Sequence, residues 1–134
     1  MAFYADFVTA LGGMSVTGVT ASATAPPRQV STAQLPYLFP RLPVGNNSIE
    51  TLASTPGIQS ATCEVVVLLE AATQSTPALN FALALTMMDN LNTALTALAA
   101  SGGVVDDWSI RQDVEVTSDG TEYYALVATV TGSG

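Results

Sequence analysis

The acidic pair Asp106-Asp107 beside Trp108 is the only adjacent carboxylate pair in this chain of 134 residues. With Asp113 or Glu115 it would supply the oxygen ligands that a hard divalent cation takes. The spacing argues against that chemistry. Adjacent residues entering a strand point to opposite faces, and no loop of alternating Asp and Asn follows. Asp113 and Glu115 do share one face of an alternating strand, and under a covering cleft they would form an acid–base pair. An exposed strand face beside Arg111 accounts for them more simply.

The rest of the catalytic inventory is empty. There is no His and no Lys, the only thiol is Cys63, and the only cations are Arg28, Arg41 and Arg111. A Ser-His-Asp triad, a Schiff base and a Lys-bearing phosphate loop are therefore all ruled out. Cys63 stands at the mouth of the run Val65-Val66-Val67-Leu68-Leu69, where a thiol serves as a small buried hydrophobe, and the chain has no His or Lys to activate it. The Met87-Met88 pair falls within a helical stripe and reads as core. We expect no enzyme, no metal and no cofactor. Asn46-Asn47-Ser48 matches a glycosylation sequon, but the start of the chain carries no basic region of a secretory signal, so the match is discounted.

Charge limits the partners. The net charge is −8, which opposes the counterion-releasing contacts that tight nucleic-acid binding requires. Charged residues make up 10% of the chain and hydrophobic residues 49%, against a usual charged share of about 25%. So little charge leaves much surface to be met by partners.

These residues must be positioned by a fold, and the patterning predicts a single α+β domain over 1–134. Phe3, Phe7, Val8 and Leu11 recur at helical spacing, which predicts a short helix over 2–12 ended by Gly12-Gly13. The β-branched stretch 15–22 predicts a first strand, weakened by Gly18. Residues 25–60 hold six of the seven prolines and read as a proline-rich arm, with a short edge strand at 47–52. The run over 62–71 is apolar on both faces, as a central strand between two layers requires. Pro77 opens a long helix to about Ala100, roughly 36 Å at 1.5 Å per residue, with Phe81, Leu85, Met88, Leu91, Leu95 and Leu98 as its packing stripe. Asp89, Asn90 and Asn92 in its middle argue against a membrane span. Trp108–Thr117 alternates, with Ile110, Val114 and Val116 on the inner face. After the turn at 118–121, residues 122–131 complete a closing hairpin with Tyr124, Leu126, Ala128 and Val130 along one face. The expected architecture is one mostly antiparallel sheet, a long helix packed on it, a short N-terminal helix and a C-terminal hairpin.

The start Phe3-Tyr4-Ala5-Asp6-Phe7, the proline-rich segment from Ala25 to Pro43 centred on Leu35-Pro36, the central strand and the hairpin together resemble the tail-terminator family of tailed bacteriophages. That resemblance implies a sheet flanked by helices. It also implies a homo-oligomeric ring, a hexamer, that caps the tail tube and joins it to the head connector, within a virion assembled in the host cytoplasm. An acidic lumen would let DNA pass without sticking. No catalytic residue is carried over. Two of the three Arg fall within residues 28–41 among apolar side chains, so Arg28, Leu35, Tyr37, Leu38, Phe39 and Arg41 form the candidate interface with a neighbouring copy. Docking of the same arm on its own sheet is the equal alternative. Other readings are a different neck or tube-associated component, a small ligand-binding module with a pocket between helix and sheet, and last, an enzyme using carboxylates alone.

Overall fold

The computed structural model describes residues 3–47, 59–72, 77–101 and 105–133. Helix α1 (Phe3–Gly12) is followed by β1 (Ala21–Ser22), β2 (Tyr37–Pro40), β3 (Val44–Asn47), β4 (Gln59–Ala71), helix α2 (Pro77–Ala100), β5 (Val105–Val116) and β6 (Glu122–Ser133). The strands form one sheet in the order β1-β2-β4-β6-β5, with β3 also paired to β4. The β1–β2 pair is parallel and the other pairs are antiparallel. The fold is the predicted α+β arrangement, with a long helix on a mostly antiparallel sheet and a tight closing hairpin. Among the described residues no helix is long and apolar enough to cross a membrane.

Strand β4 is apolar on both faces because both faces are covered. Val65, Val67 and Leu69 join Phe7, Leu11, Met87, Leu91 and Leu95 beneath the helices. Val66 and Leu68 point the other way, into a second cluster with Val30, Tyr37, Phe39 and Val127. Each of these buried side chains contributes about 1.5–3 kcal/mol from removal of apolar area from water. The hairpin closes through hydrogen bonds from Thr117 N–H to the Thr121 carbonyl and from Gly120 N–H to the Thr117 carbonyl, with Gly120 at a φ of 86° that favours glycine.

Four expectations change. The strand predicted at 15–22 shrinks to Ala21–Ser22, because Gly18 adopts a φ of 91° in a turn. Met14 and Val16 instead bury into the helix-side core, and the Thr17 carbonyl accepts a 2.9 Å hydrogen bond from Asn90 Nδ2. The proline-rich arm supplies β2 and β3 to the sheet; the strand expected at 47–52 lies outside the described residues apart from Asn47, which ends β3. The stripe of α2 holds in its later turns, where Leu91 and Leu95 are buried and Met88 and Leu98 pack against the core, but at its start Asn80, Ala84 and Met87 face the sheet, whereas Phe81 is 59% and Leu85 50% exposed. Small Ala84 lets the helix lie close to the strands. Finally, Val114 and Val116 are exposed, because α2 runs antiparallel to β5 and begins only opposite Gln112, leaving the end of the strand uncovered.

Candidate functional site

On the arm side of the sheet, three segments remote in sequence converge on Arg41, which continues from β2. Its Nη1 donates to Glu64 Oε1 at 2.7 Å and its Nη2 to Glu115 Oε2, while Arg111 Nη2 donates to Glu64 Oε2 at 3.1 Å. The Arg41 hydrogen bond is the main cause holding the Glu64 carboxyl below the usual carboxylate range; partial burial opposes it, and Arg111 adds to it. Partial burial acts to lower the Arg41 pKa, but hydrogen bonds and charge from Glu64 and Glu115 outweigh it and hold the guanidinium above its ordinary value. Every charge in this cluster is matched, which makes it a clamp joining β2, β4 and β5.

The carboxylates weighed and set aside as a metal or acid–base site are each engaged separately. Asp106 accepts a hydrogen bond from Ser133 Oγ at 2.8 Å, and Trp108 Nε1 donates to Asn92 Oδ1 at 2.9 Å. Asp113 lies 3.7 Å from Arg111 and accepts from the Val114 N–H at 2.8 Å. Among the described residues no group of three or more His, Cys, Asp or Glu could hold a metal ion. Cys63 is fully buried and donates to the Arg41 carbonyl at 3.2 Å; burial is the main cause pushing its thiol up to about 11. At neutral pH it is an unreactive thiol.

Of the candidate interface residues, Tyr37, Leu38 and Phe39 are buried in the chain's own core, Leu35 is half-buried against the arm-side cluster, and Arg41 is held by the clamp. Arg28 is exposed, with no ion pair among the described residues. Within the described part of the arm, Tyr37, Leu38 and Phe39 therefore pack on the chain's own sheet.

A different site stands at the start of α2. A cavity of about 450 Å³ opens between the helix and the β5–β6 strands, lined by Asn80, Phe81, Gln112, Asp113, Val114 and Tyr124. Asn80 is only 1% exposed. Its Oδ1 accepts from Gln112 Nε2 at 2.9 Å, but its buried Nδ2 has no hydrogen-bond partner. A buried donor left unpaired costs about 1–3 kcal/mol. The neighbouring side chains Phe81, Leu85, Val114 and Val116 present apolar surface to solvent, and β5 is an edge strand. Asn80 was legible in principle, since it sits four residues before Ala84 and eleven before Leu91, in phase with the buried stripe. The stronger hydrophobicity of Phe81 and Leu85 masks that phase.

No protein-family model matches the chain, and no curated protein matches it.

Proposed function

We propose that the chain is a structural subunit of a bacteriophage tail or neck that assembles with copies of itself into a ring, as the resemblance to tail terminators implies, capping the tail tube and meeting the head connector. The carrying observation is the uncovered apolar surface: Leu42, Val44, Phe81, Leu85, Val114 and Val116 all face solvent in the single chain, in a protein with few charges to compensate. A lone soluble domain gains nothing from such exposure, whereas a ring subunit buries it against its neighbours. The fold, a sheet with helices on it, agrees with the one the resemblance implies. The matched ion clamp and the inert Cys63 fit a structural role better than a catalytic one. Negative-stain electron microscopy of the purified chain, alone and mixed with tail tubes, tests this reading. Rings of uniform size seated on tube ends are expected; monomers at all concentrations that leave tubes uncapped would overturn it.

A second reading, a small ligand-binding module, draws on the Asn80 cavity. It predicts a monomer whose melting temperature rises with a small, mostly apolar compound.

A further inference from the structure

Strand β5 forms one edge of the sheet and runs for 12 residues, against about 5–6 for a usual strand. The opposite side of the sheet ends in β1, of 2 residues, and β3, of 4. Long open edges invite pairing and are ordinarily blunted by Pro, Lys or brevity. Residues 105–116 contain no Pro, no Gly and no Lys. Two hydrogen bonds give the phase of the open groups. Thr117 N–H donates into the hairpin, to the Thr121 carbonyl, whereas Val114 N–H turns away from β6 to the Asp113 carboxylate. Antiparallel ladders alternate, so the main-chain groups of Trp108, Ile110, Gln112, Val114 and Val116 line the free edge.

We propose that β5 pairs antiparallel with β5 of a second copy about a two-fold axis through Gln112, joining the two sheets into one. This goes beyond the ring reading and does not rest on it. An isologous contact links two chains, or two rings face to face, and leaves Leu42 and Val44 to any ring neighbour.

Side-chain chemistry selects a second copy as the occupant and fixes the register. With Gln112 opposite itself, Arg111 of each copy faces Asp113 of the other, on the close non-hydrogen-bonded positions where cross-strand side chains meet. Within one chain these two groups stand 3.7 Å apart with side chains 50% and 48% exposed, so both are free to turn to the second copy. On the helix face, the exposed Val114 and Val116 meet the half-buried Ile110 and Trp108 of the second copy. Phe81 lines the same notch as Gln112 and Val114 and comes beside the axis. Sliding the register by two residues sets Arg111 against Arg111, or Asp113 against Asp113. Sliding it by four sets Asp113 against Asp107 or Glu115. Among these registers only the centred one opposes no like charges, which matters in a chain of net charge −8. On pairing, Asp113 leaves the Val114 N–H for Arg111 of the second copy, and the freed N–H donates to the Ile110 carbonyl across the axis.

The test uses the full chain carrying Gln112→Cys, with Ser118→Cys in the turn beyond the strand as its control; native Cys63 is fully buried. A short bis-maleimide is expected to link Gln112→Cys to itself at dilutions where Ser118→Cys stays unlinked. Asp113→Arg makes both cross-strand charge pairs repulsive and is expected to weaken self-association in sedimentation velocity about tenfold or more. Adding Arg111→Asp to it restores association. An unlinked Gln112→Cys, association unmoved by Asp113→Arg, or no recovery in a double variant that melts like the parent would overturn the contact, as would a parent that stays monomeric. Rings without the Gln112 link would sink this contact and leave the ring reading standing; linked pairs without rings would do the reverse.

Discussion

The two halves of α2 meet β5 in opposite ways. Toward the C-terminal half, Leu91 and Leu95 are fully buried, and Asn92 accepts the Trp108 indole hydrogen bond. At the N-terminal half, Phe81 and Leu85 face water, and Asn80 is sealed in with half of its carboxamide unpaired. One helix on one strand thus presents a finished end and an unfinished end. Burial without saturation of polar groups costs stability; the sealed Asn80 donor is out of reach of a partner, and it is the exposed Phe81 and Leu85 that make this end a surface something outside the single chain would cover. The arm-side clamp of Arg41, Glu64, Arg111 and Glu115 has the finished character: its charges meet within the chain.

The contrast breaks most readily at the finished end. Leu91→Ala should lower the unfolding free energy by about 2–5 kcal/mol, the usual cost of emptying a core leucine site, whereas Phe81→Ser should change it by no more than about 0.5 kcal/mol, as exposed sites do. Urea denaturation of the two variants side by side checks this; equal losses would erase the distinction between the ends. A smaller effect of opposite sign is expected at Asn80. Replacing it with Leu removes the unsatisfied donor and leaves the exposed Gln112 amide to water, so stability should hold or rise by about 1 kcal/mol. A marked loss in thermal melting would mean that the carboxamide is already satisfied in the isolated chain.

The smallest effect concerns the clamp and is read through pH. The Glu64 carboxyl is held below its ordinary value in the folded chain, so its contribution is fully present above the unfolded value of about 4.3. It fades as pH falls through the lower folded value. Glu64→Gln should therefore flatten the loss of stability on acidification below about pH 4.3. Denaturation profiles of parent and variant with the same acid slope would show that the clamp adds nothing.

Periodicity revealed the elements better than it revealed their faces. The central strand stands out as an unbroken apolar run between Glu64 and Glu70, the long helix as a stretch from Pro77 with no internal Gly or Pro, and the hairpin as two alternating segments around a turn. The phase of α2 is hidden because apolar residues occur on most of its sides, so pattern alone cannot decide between the Phe81–Leu85 side and the Asn80–Ala84 side. Packing decides it: Ala84 permits close approach, and Phe81 would hold the helix off. Likewise, Ser15–Thr20 has β-branched composition, but Gly18 turns the backbone away from strand geometry. The prolines at 36, 40 and 43 conceal the short strand β2. The clamp could not be read at all, since Arg41 and Glu115 are 74 positions apart and meet only when β2 and β5 are brought onto one face. The Asp106-Asp107 pair, by contrast, is conspicuous in sequence and engages only Ser133 among the side chains described.

Sedimentation velocity on the full chain and on Phe81→Glu, with thermal melting of both, asks whether assembly covers the N-terminal end of α2. A discrete oligomer is expected for the parent, a monomer for the variant, and closely similar melting of the two once the parent is diluted to monomer. A variant that sediments like the parent oligomer, or a parent that remains monomeric at high concentration, would mean that this end of the helix is not an assembly surface.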